Sequence, residues 1–241
     1  MLFLLIIFAN CQYLEMKKIQ GLTILFLLLS IGAFAQLTNL VGQANNVVRE
    51  RSYTTVEGDY LFTEEWSYGE VIDNVGDTFD NLLLNYDTYN DQVIVNKKGS
   101  ELYLDAKNCR QFIIYLQNNT KVEFMNGLDV PGLKKNGYYQ VVHLGEFKIL
   151  KRYETDLVEQ LVEEYGTSGT KLRFVSDKKY IYVSEQNGVS ELKPSKKGLE
   201  LIYGPHVDEM NTFVKKNKLK YRSDDDLGLI FKKLAELRTN S

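Results

Sequence analysis

From Tyr60 onward the chain alternates between apolar and polar positions. Leu102 and Leu104 are interleaved with Glu101, Tyr103 and Asp105, and Val122 and Phe124 with Lys121 and Glu123. Phe147 and Ile149 flank Lys148, and Leu172 and Phe174 flank Arg173. A period of two puts one set of side chains on a core and the other in water, which predicts half-buried antiparallel strands. Turn-forming breaks lie between them: Lys97-Lys98-Gly99-Ser100, Asn118-Asn119-Thr120, Leu144-Gly145-Glu146, Ser176-Asp177-Lys178 and Gln186-Asn187-Gly188. Such short breaks join sequence neighbours as hairpins. About ten strands joined this way predict a mainly β, α+β fold, an antiparallel meander forming a curved sheet or a barrel-like core. Two Greek-key sheets are the competing arrangement.

The period changes near residue 195. Ser195 is placed to cap a helix carrying Leu199, Ile202 and Tyr203, which Gly204 ends. Pro205 suits the first turn of a second helix with Val207, Met210, Phe213 and Val214 on one face. Ser223 before Asp224-Asp225-Asp226 marks a third start, with acids at the positive end of the dipole. Leu227, Ile230, Phe231, Leu234 and Leu237 form its apolar stripe. Two or three C-terminal helices are therefore expected to pack on the sheet, since a stripe of that size must be covered.

The N-terminus follows a different logic. Met16-Lys17-Lys18, an apolar run from Leu22 to Leu29, and Ser30-Ile31-Gly32-Ala33-Phe34-Ala35 before Gln36 make the three-part pattern of a secretory signal peptide cleaved after Ala35. Residues 1–15 hold a second apolar run, Leu2 to Phe8, with no preceding Lys or Arg. Translation is thus expected to start at Met16 rather than Met1. Neither run reaches the roughly 20 apolar residues of a spanning helix, so a membrane hairpin is not favoured. Cys11 follows Asn10, where a lipoprotein signal would carry a small residue. The expected organisation is a leader over 1–35, a flexible polar arm over 36–58, a β domain over 59–193 and a helical segment over 194–241. The expected location is the periplasm or the outer-membrane periphery, with release into the medium as the further option.

Composition narrows the function. With 29 Lys+Arg, 32 Asp+Glu and a formal charge of −3, the chain does not suit a basic nucleic-acid binder. The cations are interleaved with acids along the sequence, so no phosphate-binding stripe is expected. The mature chain of 206 residues would keep Cys109 alone, which excludes an intramolecular disulfide despite export. No apolar run after residue 36 is long enough to predict a transmembrane span.

Several stretches carry a resemblance. They include Tyr60-Leu61-Phe62 with Trp66, Leu84-Asn85-Tyr86-Asp87, Gly137-Tyr138-Tyr139, the segment from Phe147 to Tyr153, and Lys179-Tyr180-Ile181-Tyr182. In the tail, Lys215-Lys216-Asn217-Lys218-Leu219 and Asp224-Asp225-Asp226-Leu227 belong with them. Across most of 60–238 the chain resembles an uncharacterised family of exported Bacteroidota envelope proteins. The resemblance implies an envelope location and a β-rich core with a helical tail. It implies no catalytic residues.

Candidate chemistry is sparse. His143 lies in the Tyr139/Val141/His143 register of a strand and His206 follows Pro205, and neither has the paired spacing of a metal site. Cys109 has Arg110 beside it, which could lower a thiol's pKa, but a cysteine nucleophile also needs a histidine base. Without one it is a small hydrophobe. Asp87, Asn90 and Asp91 lack the spacing of a calcium loop and fit a tight turn. No phosphate-loop, dinucleotide or hydrolase glycine pattern occurs. The sequence therefore predicts no catalytic residue, no metal and no cofactor.

Aromatics are the unusual resource: 15 Tyr, 8 Phe and Trp66 remain after the leader. Tyr86 with Tyr89, Tyr138 with Tyr139, and Tyr180 with Tyr182 could furnish a contact face for an envelope protein, a glycan or a lipid. The same residues also suit cross-strand packing. The expectation is an exported, non-enzymatic envelope protein that binds a macromolecular partner. Its alternatives are a carrier of a small apolar ligand in a barrel-like cavity and, behind that, a hydrolase using Cys109 or a histidine–carboxylate pair.

Overall fold

The structure, a computed structural model, describes Tyr53 and residues 55–97, 99–118, 120–164, 167–185 and 188–239. The expected leader and most of the polar arm lie outside the described residues. Among the described residues, ten strands form one antiparallel sheet and three α-helices follow it. The strands are β1 (Ser67–Ile72), β2 (Thr78–Asp87), β3 (Gln92–Lys97), β4 (Ser100–Leu104), β5 (Gln111–Tyr115), β6 (Lys121–Met125), β7 (Tyr139–His143), β8 (Phe147–Glu164), β9 (Thr167–Ser184) and β10 (Gly188–Leu192). The helices are α1 (Lys196–Tyr203), α2 (Val207–Lys216) and α3 (Asp224–Thr239). The mainly β, α+β reading holds.

The spatial order is β10-β9-β8-β7-β6-β5-β1-β2-β3-β4, so the sheet is open, with β4 and β10 at its edges. It departs from a pure meander once. β5 returns to pair with β1 instead of β4, the kind of return found in Greek keys. Bulges bend the sheet on both sides of this junction. Asp80 and Asn81 together oppose Glu70, with Asn81 at φ +52°, a left-handed conformation that asparagine tolerates. In β7 the extra residue is Val142, and the shift sets His143 opposite Ile149.

Curvature brings distant strands together. The turn between β2 and β3 meets β8, although four strands separate β2 from β8 in the sheet. Thr88 and Thr155 share a hydroxyl hydrogen bond of 2.6 Å there, and Arg152 grips Asp91. Inside the curl, Phe112 and Phe124 stack at 4.6 Å, with Tyr86 and Tyr138 packed against both or edge-on to Phe112. Offset and edge-to-face aromatic pairs of this kind stabilise beyond the area they bury.

The helices cover the β7–β10 end. Leu199, Tyr203, Met210, Val214, Leu227 and Phe231 join Phe147, Ile149, Tyr180 and Tyr182 in one buried cluster. Ser195 caps α1 by accepting from the Gly198 amide, and Ser223 accepts from the Asp226 amide at the start of α3. Gly228 lets α3 come close to β7, because a Cβ there would stand 3.1 Å from the Val142 carbonyl oxygen.

One turn expectation fails. Ser176-Asp177-Lys178 is not a break but lies within β9, and β8 and β9 are each 18 residues long. They pair without interruption from Phe147↔Ser184 to Glu164↔Thr167. β7 reaches only Lys151 on one side, and β10 only Tyr180 on the other. The remainder projects as a two-stranded arm. Its base is braced by the segment before β1: Glu57 bridges Arg173, and Tyr53, Tyr60 and Tyr89 gather around Phe174.

Candidate binding surfaces

Two polar clusters tie distant elements together, and the first fastens the curl. In the first, Arg152 donates Nη1 to Asp91 Oδ1 at 3.0 Å and Nη2 to Oδ2 at 2.7 Å. Nη1 also donates to the Tyr138 carbonyl at 2.7 Å, and the Tyr86 hydroxyl donates to Asp91 Oδ1 at 2.7 Å. Burial alone would raise the Asp91 carboxyl, but the Arg152 and Tyr86 hydrogen bonds outweigh it and hold the group below its ordinary value. Arg152 and Asp91 are 5% and 8% exposed, so both charges are desolvated, and the exposed Lys134 adds a second cation to Asp91 at 3.1 Å.

The second cluster pins α3 to the sheet. Lys151 Nζ donates to both Asp224 oxygens at 3.1 and 2.8 Å, the Tyr180 hydroxyl donates to Oδ1 at 2.7 Å, and Gln140 Nε2 donates to Oδ2 at 2.9 Å. Tyr153 completes the chain by donating to Gln140 Oε1 at 2.7 Å. Here too burial opposes ionisation of Asp224, and the Lys151 and Tyr180 bonds overcome it, so its pKa is lowered. The sequence presents Asp224 as a helix-start acid; its contact with Lys151, 73 residues away, is a tertiary feature that no local pattern carries.

This cluster borders an open groove of about 700 Å³ between β6, β7 and α3, lined among others by Phe62, Tyr153, Gln140, His143 and Lys232. His143 packs its ring against Phe147 and Phe231 and leaves Nε2 buried without a partner. Burial lowers its pKa, favouring the neutral ring. A second depression of about 840 Å³ holds Trp66, Tyr68, Tyr115, Glu64 and Glu65. There the Tyr115 hydroxyl donates to Glu70 at 2.5 Å and Gln117 donates to Glu65 at 3.0 Å.

Tyr86 and Tyr138 are 0% exposed, Tyr139 3%, Tyr182 4% and Tyr180 9%, so these five make core contacts rather than an exposed face. The fold turns them inward because they occupy the covered register of their strands or, for Tyr138, plug the loop before β7. Tyr89 remains partly exposed, with its ring edge on Phe174. Cys109 is fully buried, donates its thiol to the Gln111 carbonyl, and is pushed by burial up to about 12. It therefore stays protonated, without the thiolate a nucleophile requires. Among the described residues no contact joins Cys109 to His143. His206 ends the 3₁₀ turn Gly204–His206 before α2 without a side-chain cap. Asp87 accepts from the Tyr89 and Asn90 amides, the tight-turn geometry. Among the described residues, no group of three or more His, Cys, Asp or Glu is arranged to hold a metal ion.

What the sequence did not single out is the projecting arm. Val158 and Val175 are 37% and 47% exposed on one face, and Leu161 and Leu172 are 80% and 41% exposed on the other. One signal was available: neither Gly nor Pro occurs from Glu146 to Tyr165 or from Thr170 to Asn187. No helix among the described residues is long and apolar enough to cross a membrane. No protein-family model, no curated protein and no solved structure matches the chain.

Proposed function

We propose that this is an exported cell-envelope protein that acts without catalysis, by holding a macromolecular partner against the β8–β9 arm. The observation that carries the reading is the arm's exposed apolar surface, with Leu161 at 80% exposure on the projecting ribbon and Leu172 at 41% beside the segment that braces its base. Isolated exposed apolar residues are ordinary on a surface. Four on both faces of one two-stranded projection make a contact element, since a lone hairpin in water has little to stabilise it. The leader pattern before Gln36 supports delivery to the envelope.

The carrier alternative draws less support. The concave side of the curl is filled by Tyr86, Phe112, Phe124 and Tyr138, and its β7–β10 end is packed with helix side chains. The hydrolase reading loses its proposed cysteine to burial.

The test is recovery of the chain from envelope fractions of its native host, wild type beside Leu161→Asp with Leu172→Asp. The expected result is a companion macromolecule in fixed ratio with wild type and absent from the variant. Recovery of wild type alone, or an unchanged companion in the variant, overturns the proposal.

A further inference from the structure

Interleaving of charges along the sequence hides an asymmetry in the fold. Residues 193–222 hold eight Lys/Arg against three Asp/Glu, while the rest of the chain holds 21 against 29. The excess converges. Lys196, from the first turn of α1, Lys215, from the last turn of α2, and Lys218, in the turn after it, line one depression of about 520 Å³ with Thr212 and Tyr221. All three lysines are exposed. Lys196 reaches Glu200 at 3.7 Å, and among the described residues no carboxylate lies within ion-pair distance of Lys215, Lys216 or Lys218.

Helix electrostatics explains only part of this. Lys215 and Lys216 in the last turn of α2 complement the negative end of its dipole. Lys196 and Lys197 open α1, where the dipole disfavours a cation and no acid occupies the first turn. Leu201 follows Lys197 by one helical turn and is 88% exposed, the most exposed large hydrophobic side chain among the described residues. An apolar side chain projecting beside an exposed lysine, here Lys197, is the arrangement of a helix that rests on a lipid surface, burying the leucine while cations meet phosphates.

We infer that the α1–α2 corner docks the protein onto an anionic membrane surface, with Lys196, Lys215 and Lys218 receiving phosphate-bearing headgroups and Leu201 entering the interface. This surface is separate from the β8–β9 arm and does not depend on the reading of that arm.

The experiment is co-sedimentation of the chain, purified from its host, with vesicles of phosphatidylglycerol and phosphatidylcholine in equal parts, against vesicles of phosphatidylcholine alone. The expected result is binding to the anionic vesicles that weakens as salt rises, because exposed charges are screened. The triple variant Lys196→Glu, Lys215→Glu, Lys218→Glu is expected to bind at least about tenfold more weakly at unchanged Tm. Should that variant unfold, Lys215→Gln with Lys218→Gln replaces it, with a smaller loss expected. Leu201→Ser is expected to weaken binding without changing its salt dependence. The arm variant Leu161→Asp with Leu172→Asp is expected to bind vesicles like wild type, so failure here and failure of the arm proposal are told apart. Equal binding to both vesicle types, or undiminished binding by the lysine variants, overturns the inference. Displacement from vesicles by excess inorganic phosphate at constant ionic strength assigns the depression to free phosphate and overturns it as well.

Discussion

Arg152 closes on Asp91 with both prongs of its guanidinium, at 3.0 and 2.7 Å, across a sheet in which four strands separate β8 from β2. The contact holds the curl from within, where a closed barrel would use a ladder of backbone hydrogen bonds. Bidentate geometry gives the pair direction as well as energy.

Removing Arg152 leaves Asp91 buried with only the exposed Lys134, at 3.1 Å, as its cation. Arg152→Met is therefore expected to cost about 3–5 kcal/mol of unfolding free energy, measured by denaturant titration. Arg152→Lys keeps the charge but loses the fork, and is expected to fall between wild type and Arg152→Met. A loss for Arg152→Met no larger than that of an ordinary surface substitution, about 0.5 kcal/mol, would contradict the assigned role.

Acid sensitivity follows from the same two clusters. Asp91 and Asp224 have pKa values held below the ordinary 3.8, so the unfolded chain takes up their protons first as the pH falls. Their stabilisation is complete above 3.8 and is lost as the pH drops through their lower folded values. His143 acts higher in the scale with the same sign, since burial lowers it from 6.5 and the unfolded state again binds the proton more readily. Tm measured against pH should decline in two stages, first below 6.5 and then below 3.8. His143→Phe is expected to remove the first stage, and a first stage persisting in that variant would refute the assignment.

Cys109 should be chemically silent in the folded protein. With no exposed surface and a pKa near 12, it is expected to react with a thiol reagent only after global unfolding, at a rate that denaturant raises steeply. Fast labelling of the native chain at neutral pH would show that the β4–β5 connection opens locally.

Much of the fold was legible because local physics decided it. Alternation at Leu102/Leu104 and Val122/Phe124 marked strands, and Ser195 and Ser223 marked helix starts that the structure retains. The break expected at Ser176-Asp177-Lys178 failed because turn-prone residues also stand on a solvated strand when the opposite strand pairs with them throughout. Between a contact face and cross-strand packing, five of the six tyrosines took the packing role, for a related reason. A sequence period tells which residues share a face, but whether that face meets water or protein depends on curvature, here set by the bulges in β2 and β7. The return of β5 to β1, the Lys151–Asp224 contact and the meeting of Lys196 with Lys215 and Lys218 are long-range outcomes with no local signature.

The central claim is that the arm is the contact element, and site-specific photocrosslinking in the native host tests it most directly. Leu161 on the arm and Val75 in the β1–β2 turn are both 80% exposed, so a photoreactive residue at either position meets solvent equally. The account predicts a discrete adduct from position 161 and none from position 75. No adduct at 161, or the same adducts from both positions, would contradict it.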